Sequence, residues 1–351
     1  MVWVCQNKRC IEIHIPQNKN SKHFTNSYFD PNSNLSYTMN YVTYMFEKMV
    51  REVVHKAPTY IPGKSIDSLR QELSLDRIVK LASNENPLGP AITDLSDCGV
   101  DLAHYYPDYN QVPLMDKIAK KFDVPKDQVI LGNGSDEIIH MLAMAFLNPG
   151  DEVLTADCTF AEYDFAAHLL GATVDHVPLK NNTYDMFEML PHSNQNTKIV
   201  FIANPNNPTG TIITHKQLSE FLSFVPRHTI VVLDEAYAEY VQHSDYPDTR
   251  SLLDEYDNLM IMRTFSKVYG LAGYRIGYGI ANPKLIAVLN KVRQPFNVNS
   301  IAMKVAEKAL DETEFVKRSV ELNEAGKAYF YKEFEALGIK FQPTEANFVY
   351  C

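Results

Sequence analysis

Lys198-Ile-Val-Phe-Ile-Ala-Asn204-Pro-Asn-Asn207-Pro-Thr-Gly210, followed after a short interval by Thr229-Ile-Val-Val-Leu-Asp234-Glu-Ala-Tyr237, decides the fold. Each half is an unbroken apolar run that stops abruptly at polar residues. Runs of this kind belong to strands buried on both faces of a parallel sheet. In open α/β sheets ligands sit beyond the carboxyl ends of the strands, which is where Asn207, Asp234 and Tyr237 fall. A third apolar run, Leu259–Met262, leads into Arg263-Thr-Phe-Ser266-Lys267 and a glycine-rich stretch ending near Arg275. A lysine amine forms Schiff bases with aldehydes, and pyridoxal phosphate (PLP) is the usual aldehyde cofactor. Ser266 and Arg275 offer a hydroxyl and a permanently charged planar fork, both suited to a phosphate monoester.

Outward from this centre, Gln128-Val-Ile-Leu-Gly132-Asn-Gly134-Ser135-Asp136-Glu137 reads as strand, glycine turn and helix start. Amides at a helix N-terminus bind anions, and glycine permits close approach. The dinucleotide fingerprint G-x-G-x-x-G fails here because position 137 is Glu. Pro58-Thr-Tyr-Ile-Pro-Gly63-Lys64-Ser65 imitates a nucleotide P-loop, but Pro58 replaces its first glycine and no apolar strand precedes it. With Lys267 as Schiff-base amine, Asp234 is placed to hold a pyridinium nitrogen protonated. Asn207 and Tyr237 can hydrogen-bond the ring oxygen.

Helical apolar spacing over Ser135–Leu147, Phe160–Leu170 and Thr214–Val225 alternates with strands at Glu152–Thr155, Thr173–Val177, Ile199–Ile202 and Ile230–Leu233. This βαβ alternation predicts an α/β domain with a mostly parallel central sheet flanked by helices. From Ser300 the pattern is helical through Leu337, then strand-like at Lys340–Gln342 and Asn347–Tyr350, as expected for part of a smaller α+β domain. The predicted organisation is an extension over 1–48, an arm and small-domain contribution over 49–99, the large domain over 100–295 and part of a small domain over 296–351. Residues 1–48 are rich in Asn, Ser, Tyr and Lys and show no amphipathic period, so a disordered extension is expected, with Met45 or Met49 as the functional start.

The chain of 351 residues carries 43 acidic and 33 basic side chains, a net charge of −10. That balance argues against nucleic acid or an anionic membrane as partner. Its five scattered cysteines suggest no disulfide framework and no zinc site, and point to a reducing cytoplasm. No signal-peptide pattern or apolar run long enough to span a bilayer is apparent.

Seven motifs together resemble the fold-type I PLP-dependent aminotransferases, and among them the histidinol-phosphate aminotransferases. They are Tyr60-Ile-Pro-Gly-Lys64, Leu81-Ala-Ser-Asn-Glu-Asn-Pro-Leu-Gly-Pro90, Tyr106-Pro-Asp108, Gly132–Glu137, Asn206–Gly210, Asp234–Tyr237 and Arg263–Lys267. The resemblance implies that Lys267 holds PLP and then shuttles a proton, that Asp234 pairs with the pyridinium, and that Phe160 stacks on the ring. It further implies phosphate contacts from Ser135, Asp136, Ser266 and Arg275, and a homodimer in which Tyr106 reaches the neighbouring subunit's phosphate. Tyr60 and the Asn84–Gly89 segment, Asn86 in particular, would rim the substrate pocket. The implied reaction moves an amino group between L-histidinol phosphate and 2-oxoglutarate, in histidine biosynthesis. Aromatic amino acid aminotransferases and threonine-phosphate decarboxylases share the fold and stay open as readings, as does a non-catalytic PLP binder. A PLP-sensing transcription regulator is disfavoured, because the first 48 residues offer no helix-turn-helix pattern or basic patch. The family's small domain also carries an arginine that pairs with substrate carboxylate, and no residue here matches it. The expectation drawn from this is PLP binding with impaired transamination.

Overall fold

A computed structural model describes the backbone of residues 2–6 and 9–13 together with residues 47–56 and 79–351. Residues Met1–Arg51 and Glu52–Cys351 form separate compact units. In the first, β1 (Val2–Gln6) and β2 (Arg9–Ile13) pair antiparallel, Val2 opposite Ile13. The rest of residues 1–46, on which the expectation of a disordered extension falls, and Tyr60 with its motif lie outside the described residues.

The second unit begins with α1 (Glu52–Lys56) and continues through α2 (Val112–Phe122), β3 (Val129–Gly132) and α3 (Ser135–Phe146). Next come β4 (Glu152–Ala156), α4 (Glu162–Leu170), β5 (Thr173–Val177), α5 (Met186–His192) and β6 (Thr197–Ala203). They are followed by α6 (His215–Phe224), β7 (Ile230–Asp234), α7 (Thr249–Glu255), β8 (Leu259–Thr264) and β9 (Gly277–Ala281). Helices α8 (Pro283–Val292), α9 (Ser300–Ala309) and α10 (Thr313–Leu337) close the unit.

Seven strands form one sheet in the order β3-β9-β8-β7-β6-β4-β5. The five from β8 to β5 run parallel, and β9 lies antiparallel between β3 and β8. Alternate residues of β6 serve opposite layers. Ile199, Phe201 and Ala203 pack with the α3, α4 and α8 side, whereas Val200 and Ile202 pack with the α5 and α6 side. A strand covered on both faces tolerates no polar alternation, hence its continuous apolar sequence. Helix limits follow local chemistry. Thr214 and Gln217 form a reciprocal capping box at the start of α6, and Gly171 ends α4 in a left-handed turn.

The α3, α4 and α6 ranges agree with the sequence expectation to within two residues at each end. Two differences stand out. Strand β9 occupies a glycine-rich stretch that reads as a ligand loop. The segments expected as C-terminal strands instead form one antiparallel bridge, Gln342 with Tyr350.

Candidate active site

The carboxyl ends of β6, β7 and β8 and the start of α3 surround a cavity of about 220 Å³. Nine of the expected residues line it: Ser135, Asp136, Phe160, Asn207, Asp234, Tyr237, Ser266, Lys267 and Arg275. Strand β7 carries Asp234 to the cavity as its last, 5 % exposed residue. The Tyr163 hydroxyl donates to Asp234 Oδ2 at 2.8 Å, and the Ala236 amide donates to Oδ1 at 3.2 Å. Burial pushes this carboxyl up to about 6, against the opposing pull of the Tyr163 hydrogen bond. Among the described residues no cation pairs directly with this carboxylate, although Lys267 acts on it from a distance, and a protonated pyridine nitrogen would provide a direct partner.

Lys267 follows β8 by three residues and donates from Nζ to the Ser83 carbonyl at 3.1 Å. Its Nζ lies 5.4 Å from the Tyr237 ring centre. Burial holds the amine below the usual lysine range, while the nearby Asp136 and Asp234 charges oppose that effect. Tyr237 accepts a hydrogen bond from Asn84 Nδ2 at 3.2 Å, and burial pushes its phenol up to about 12. It therefore stays protonated and available as a donor near neutral pH.

At the opposite wall Gly134 precedes the first turn of α3, whose leading amides have no partner within the helix. Arg275 Nη2 pairs with Asp136 Oδ2 at 2.8 Å, which aims the guanidinium across the helix start. A Cβ on Gly277 would lie 2.6 Å from the Ser135 nitrogen, so only glycine lets β9 pass this close. Ser266 is buried and receives the Thr264 hydroxyl at 3.0 Å. Helix amides, a hydroxyl and a guanidinium thus line the same cavity as an amine and a buried carboxylate. These donors fit PLP: its phosphate at the cradle of amides, hydroxyl and guanidinium, its pyridine nitrogen at Asp234 and its aldehyde carbon at Lys267.

Three expected residues stand apart. Asn86, expected at the substrate rim, is not among the residues that line this cavity. Its Nδ2 donates to the Val268 carbonyl and the Ser319 hydroxyl, both at 2.8 Å, and its Oδ1 accepts from the Leu88 amide at 3.0 Å. An amide committed this way anchors its own loop. Tyr106 is 83 % exposed and stacks on Phe296 at 4.9 Å, away from the cavity of its own chain. Tyr60 lies outside the described residues.

Sequence reasoning missed Tyr163 and Ser83, whereas Glu85 falls within the segment expected at the substrate rim. Tyr163 is fully buried, lies parallel to Phe201 at 4.5 Å, and meets Phe160 edge-on at 5.6 Å. It reads as core, yet a buried phenol needs an acceptor, and that need was the available signal. Ser83 lines the cavity from within the Leu81–Pro90 motif, where spacing alone does not separate it from its neighbours.

The family description "Aminotransferase class I and II" matches residues 76–351. The chain belongs to that family. Among curated aminotransferases, the histidinol-phosphate aminotransferase of Moorella thermoacetica is 46% identical over 304 residues, covering 86% of this chain and 78% of the relative. That of Caldicellulosiruptor saccharolyticus is 44% identical over 303 residues, covering 86% and 85%. A crystal structure of histidinol-phosphate aminotransferase from Sinorhizobium meliloti in complex with pyridoxal-5'-phosphate superposes with a TM-score of 0.79 at 24% identity, covering 86% of this chain and 81% of that one. At that identity the likeness speaks for the aminotransferase fold. Among the described residues, no helix is long and apolar enough to cross a membrane.

Proposed function

We infer that this aminotransferase uses PLP to exchange an amino group between L-histidinol phosphate and 2-oxoglutarate, yielding imidazole acetol phosphate and L-glutamate. The observation that carries the reading is the placement of the Lys267 amine and the buried Asp234 carboxylate on one cavity with an anion cradle. Identity of 44–46% to two curated histidinol-phosphate aminotransferases supports the substrate assignment.

When bound, the cofactor supplies an electron sink for the pair released at the substrate Cα. Ser135, Asp136 and Ser266 would hold the phosphate, the first two through backbone amides, and Arg275 would add a charged fork. Phe160 would cover one ring face. Asp234 would keep the pyridine nitrogen protonated, with Tyr163 fixing which way that carboxylate points. Tyr237 and Asn207 would donate to the ring oxygen. Lys267 would hold the cofactor through Nζ and is the group placed to take the proton from the substrate Cα. Burial lowers its proton affinity, which favours the free amine that a base requires.

The working unit in this reading is a cytoplasmic homodimer, with Tyr106 of each chain reaching its neighbour's phosphate. Residues 100–295 form the cofactor domain, and 49–99 with 296–351 belong to the smaller domain and arm.

Single-turnover absorbance with histidinol phosphate, tyrosine, phenylalanine and threonine phosphate in turn tests the assignment. Rapid conversion to the pyridoxamine form with histidinol phosphate alone is expected. A faster half-reaction with an aromatic amino acid, or decarboxylation of threonine phosphate, would replace this reading with one of those activities.

A further inference from the structure

Among residues that do not line the cavity, a charged cluster is buried where three neighbouring strands end. Arg263 on β8 donates from Nε and Nη2 to Glu235 Oε2 at 2.8 and 2.6 Å. Its Nη1 reaches Glu239 Oε1 at 3.2 Å, and its guanidinium lies 5.3 Å from the Phe122 ring centre. Glu235 is 0 % exposed. The Tyr246 hydroxyl donates to the Asn204 carbonyl at 2.5 Å and lies 3.4 Å from Glu235 Oε1. Lys121, from α2, is an additional positive charge near Glu239 and donates to the Tyr269 hydroxyl at 2.8 Å.

The location of this cluster matters. The parallel register between β6 and β7 ends at Ala203 with Asp234, and that between β7 and β8 at Asp234 with Met262. One further backbone bond on each side, Asn204 N to Asp234 O at 2.8 Å and Glu235 N to Met262 O at 2.9 Å, closes the ladder. Beyond that point the three chains separate towards Asn207, Tyr237 and Lys267. The cluster bridges them where the ladder stops: Arg263 ties β8 to the chain after β7, Tyr246 ties β6 to the same chain, and Glu239 ties the turn after Tyr237 back to β8.

We propose that Arg263, Glu235 and Glu239, braced by Tyr246, are positioning residues that set the Lys267 amine against the Asp234 carboxylate. Asp234 and Glu235 are consecutive, and Lys267 lies four residues beyond Arg263, so a shift in the Arg263–Glu235 contact moves both active groups relative to each other. A guanidinium constrains direction as well as distance, which an ammonium does not. Buried ion pairs add little net stability over apolar packing of the same volume, because desolvation offsets their attraction. The contribution of this one is therefore geometric. Misplacement by about 1 Å can lower a rate on the order of 10²-fold.

The proposal rests on Lys267 and Asp234 serving as described under the proposed function. That reading is tested separately, on the unmodified chain, by locating the cofactor adduct. For the cluster, Glu235→Gln, Arg263→Lys and Tyr246→Phe are compared as holoenzymes by melting temperature, kcat, KM and the pH at which the absorbance of the Lys267-bound cofactor changes. Glu235→Gln and Arg263→Lys should lower kcat by about 10- to 100-fold, with KM moved far less. The absorbance midpoint should shift by about one pH unit, equivalent to a tenfold change in proton affinity. Tyr246→Phe removes a single oxygen, so it keeps the test open if a charge variant does not fold; it should shift both readouts in the same direction by less. Variants with lowered melting temperature but unchanged kcat and absorbance midpoint would overturn the proposal. So would an Arg263→Lys protein that matches the wild type in both.

Discussion

Replacing Asp234 by Asn separates what this carboxylate costs the empty fold from what it gives the loaded one. Burial raises its pKa from 3.8 to about 6 in the cofactor-free protein. A shift of about two units corresponds to about 3 kcal/mol. For a carboxyl with a raised folded-state pKa, the folded state binds more protons than the unfolded state between the two values. Stability therefore falls as pH rises through that window, and the full penalty applies above about pH 6. Asn carries no charge and escapes it. If its oxygen faces Tyr163, however, its amide nitrogen faces the Ala236 N–H, and one hydrogen bond worth about 1 kcal/mol is lost. Cofactor-free Asp234→Asn should thus be more stable than wild type by about 2 kcal/mol at pH 8. The gap should shrink, then reverse, as pH falls towards 4. Urea denaturation of both apoproteins at a series of pH values measures this. PLP should stabilise the variant far less than the wild type, and its turnover should collapse. A variant no more stable than wild type at pH 8, or a gap independent of pH, would refute the assignment of Asp234 as an unpaired carboxylate awaiting a cation.

Tyr163→Phe deletes the donor to Asp234 Oδ2; a hydrogen bond to a charged group is worth about 1.5–3 kcal/mol. The Asp234 pKa should rise further and kcat fall by about tenfold or more, read from steady-state kinetics across pH; an unchanged profile would count against the contact. Gly277→Ala places a Cβ 2.6 Å from the Ser135 nitrogen, so PLP affinity by fluorescence titration should weaken while the far-ultraviolet spectrum stays that of a folded protein. Equal affinity would show that the cradle yields. Mixing inactive Lys267→Ala chains with impaired Tyr106→Phe chains should restore activity, because a hybrid dimer retains one intact site. A monomer in sedimentation would rule that out.

Much of the sheet was legible because β6, β7 and β8 are buried on both faces and their apolar runs end where the site begins. Lys267, Asp234, Asn207 and Tyr237 could be placed at strand ends for that reason. Strand β9 was not legible: Gly277 and Gly279 suit close passage past Ser135 and Met260, and glycine leaves no alternating pattern to read. Its antiparallel pairing with β3 joins residues far apart in sequence, which local periodicity does not encode. The orientation of Asn86 was not legible, because a motif gives neighbours but not direction; its amide turns inward to Val268 and Ser319. Tyr163 went unnoticed because a phenol in helical register looks apolar until its hydroxyl must be satisfied. Arg263 and Glu235 lie in two separate motifs, and nothing in sequence spacing shows that they meet.

Borohydride reduction of the purified, PLP-loaded protein, followed by peptide mass spectrometry, tests the central claim most directly. Reduction fixes the cofactor to whichever amine holds it. The account predicts a single phosphopyridoxyl adduct on Lys267, lost in Lys267→Ala. An adduct on another lysine such as Lys198, or none on a protein that binds PLP, would contradict it.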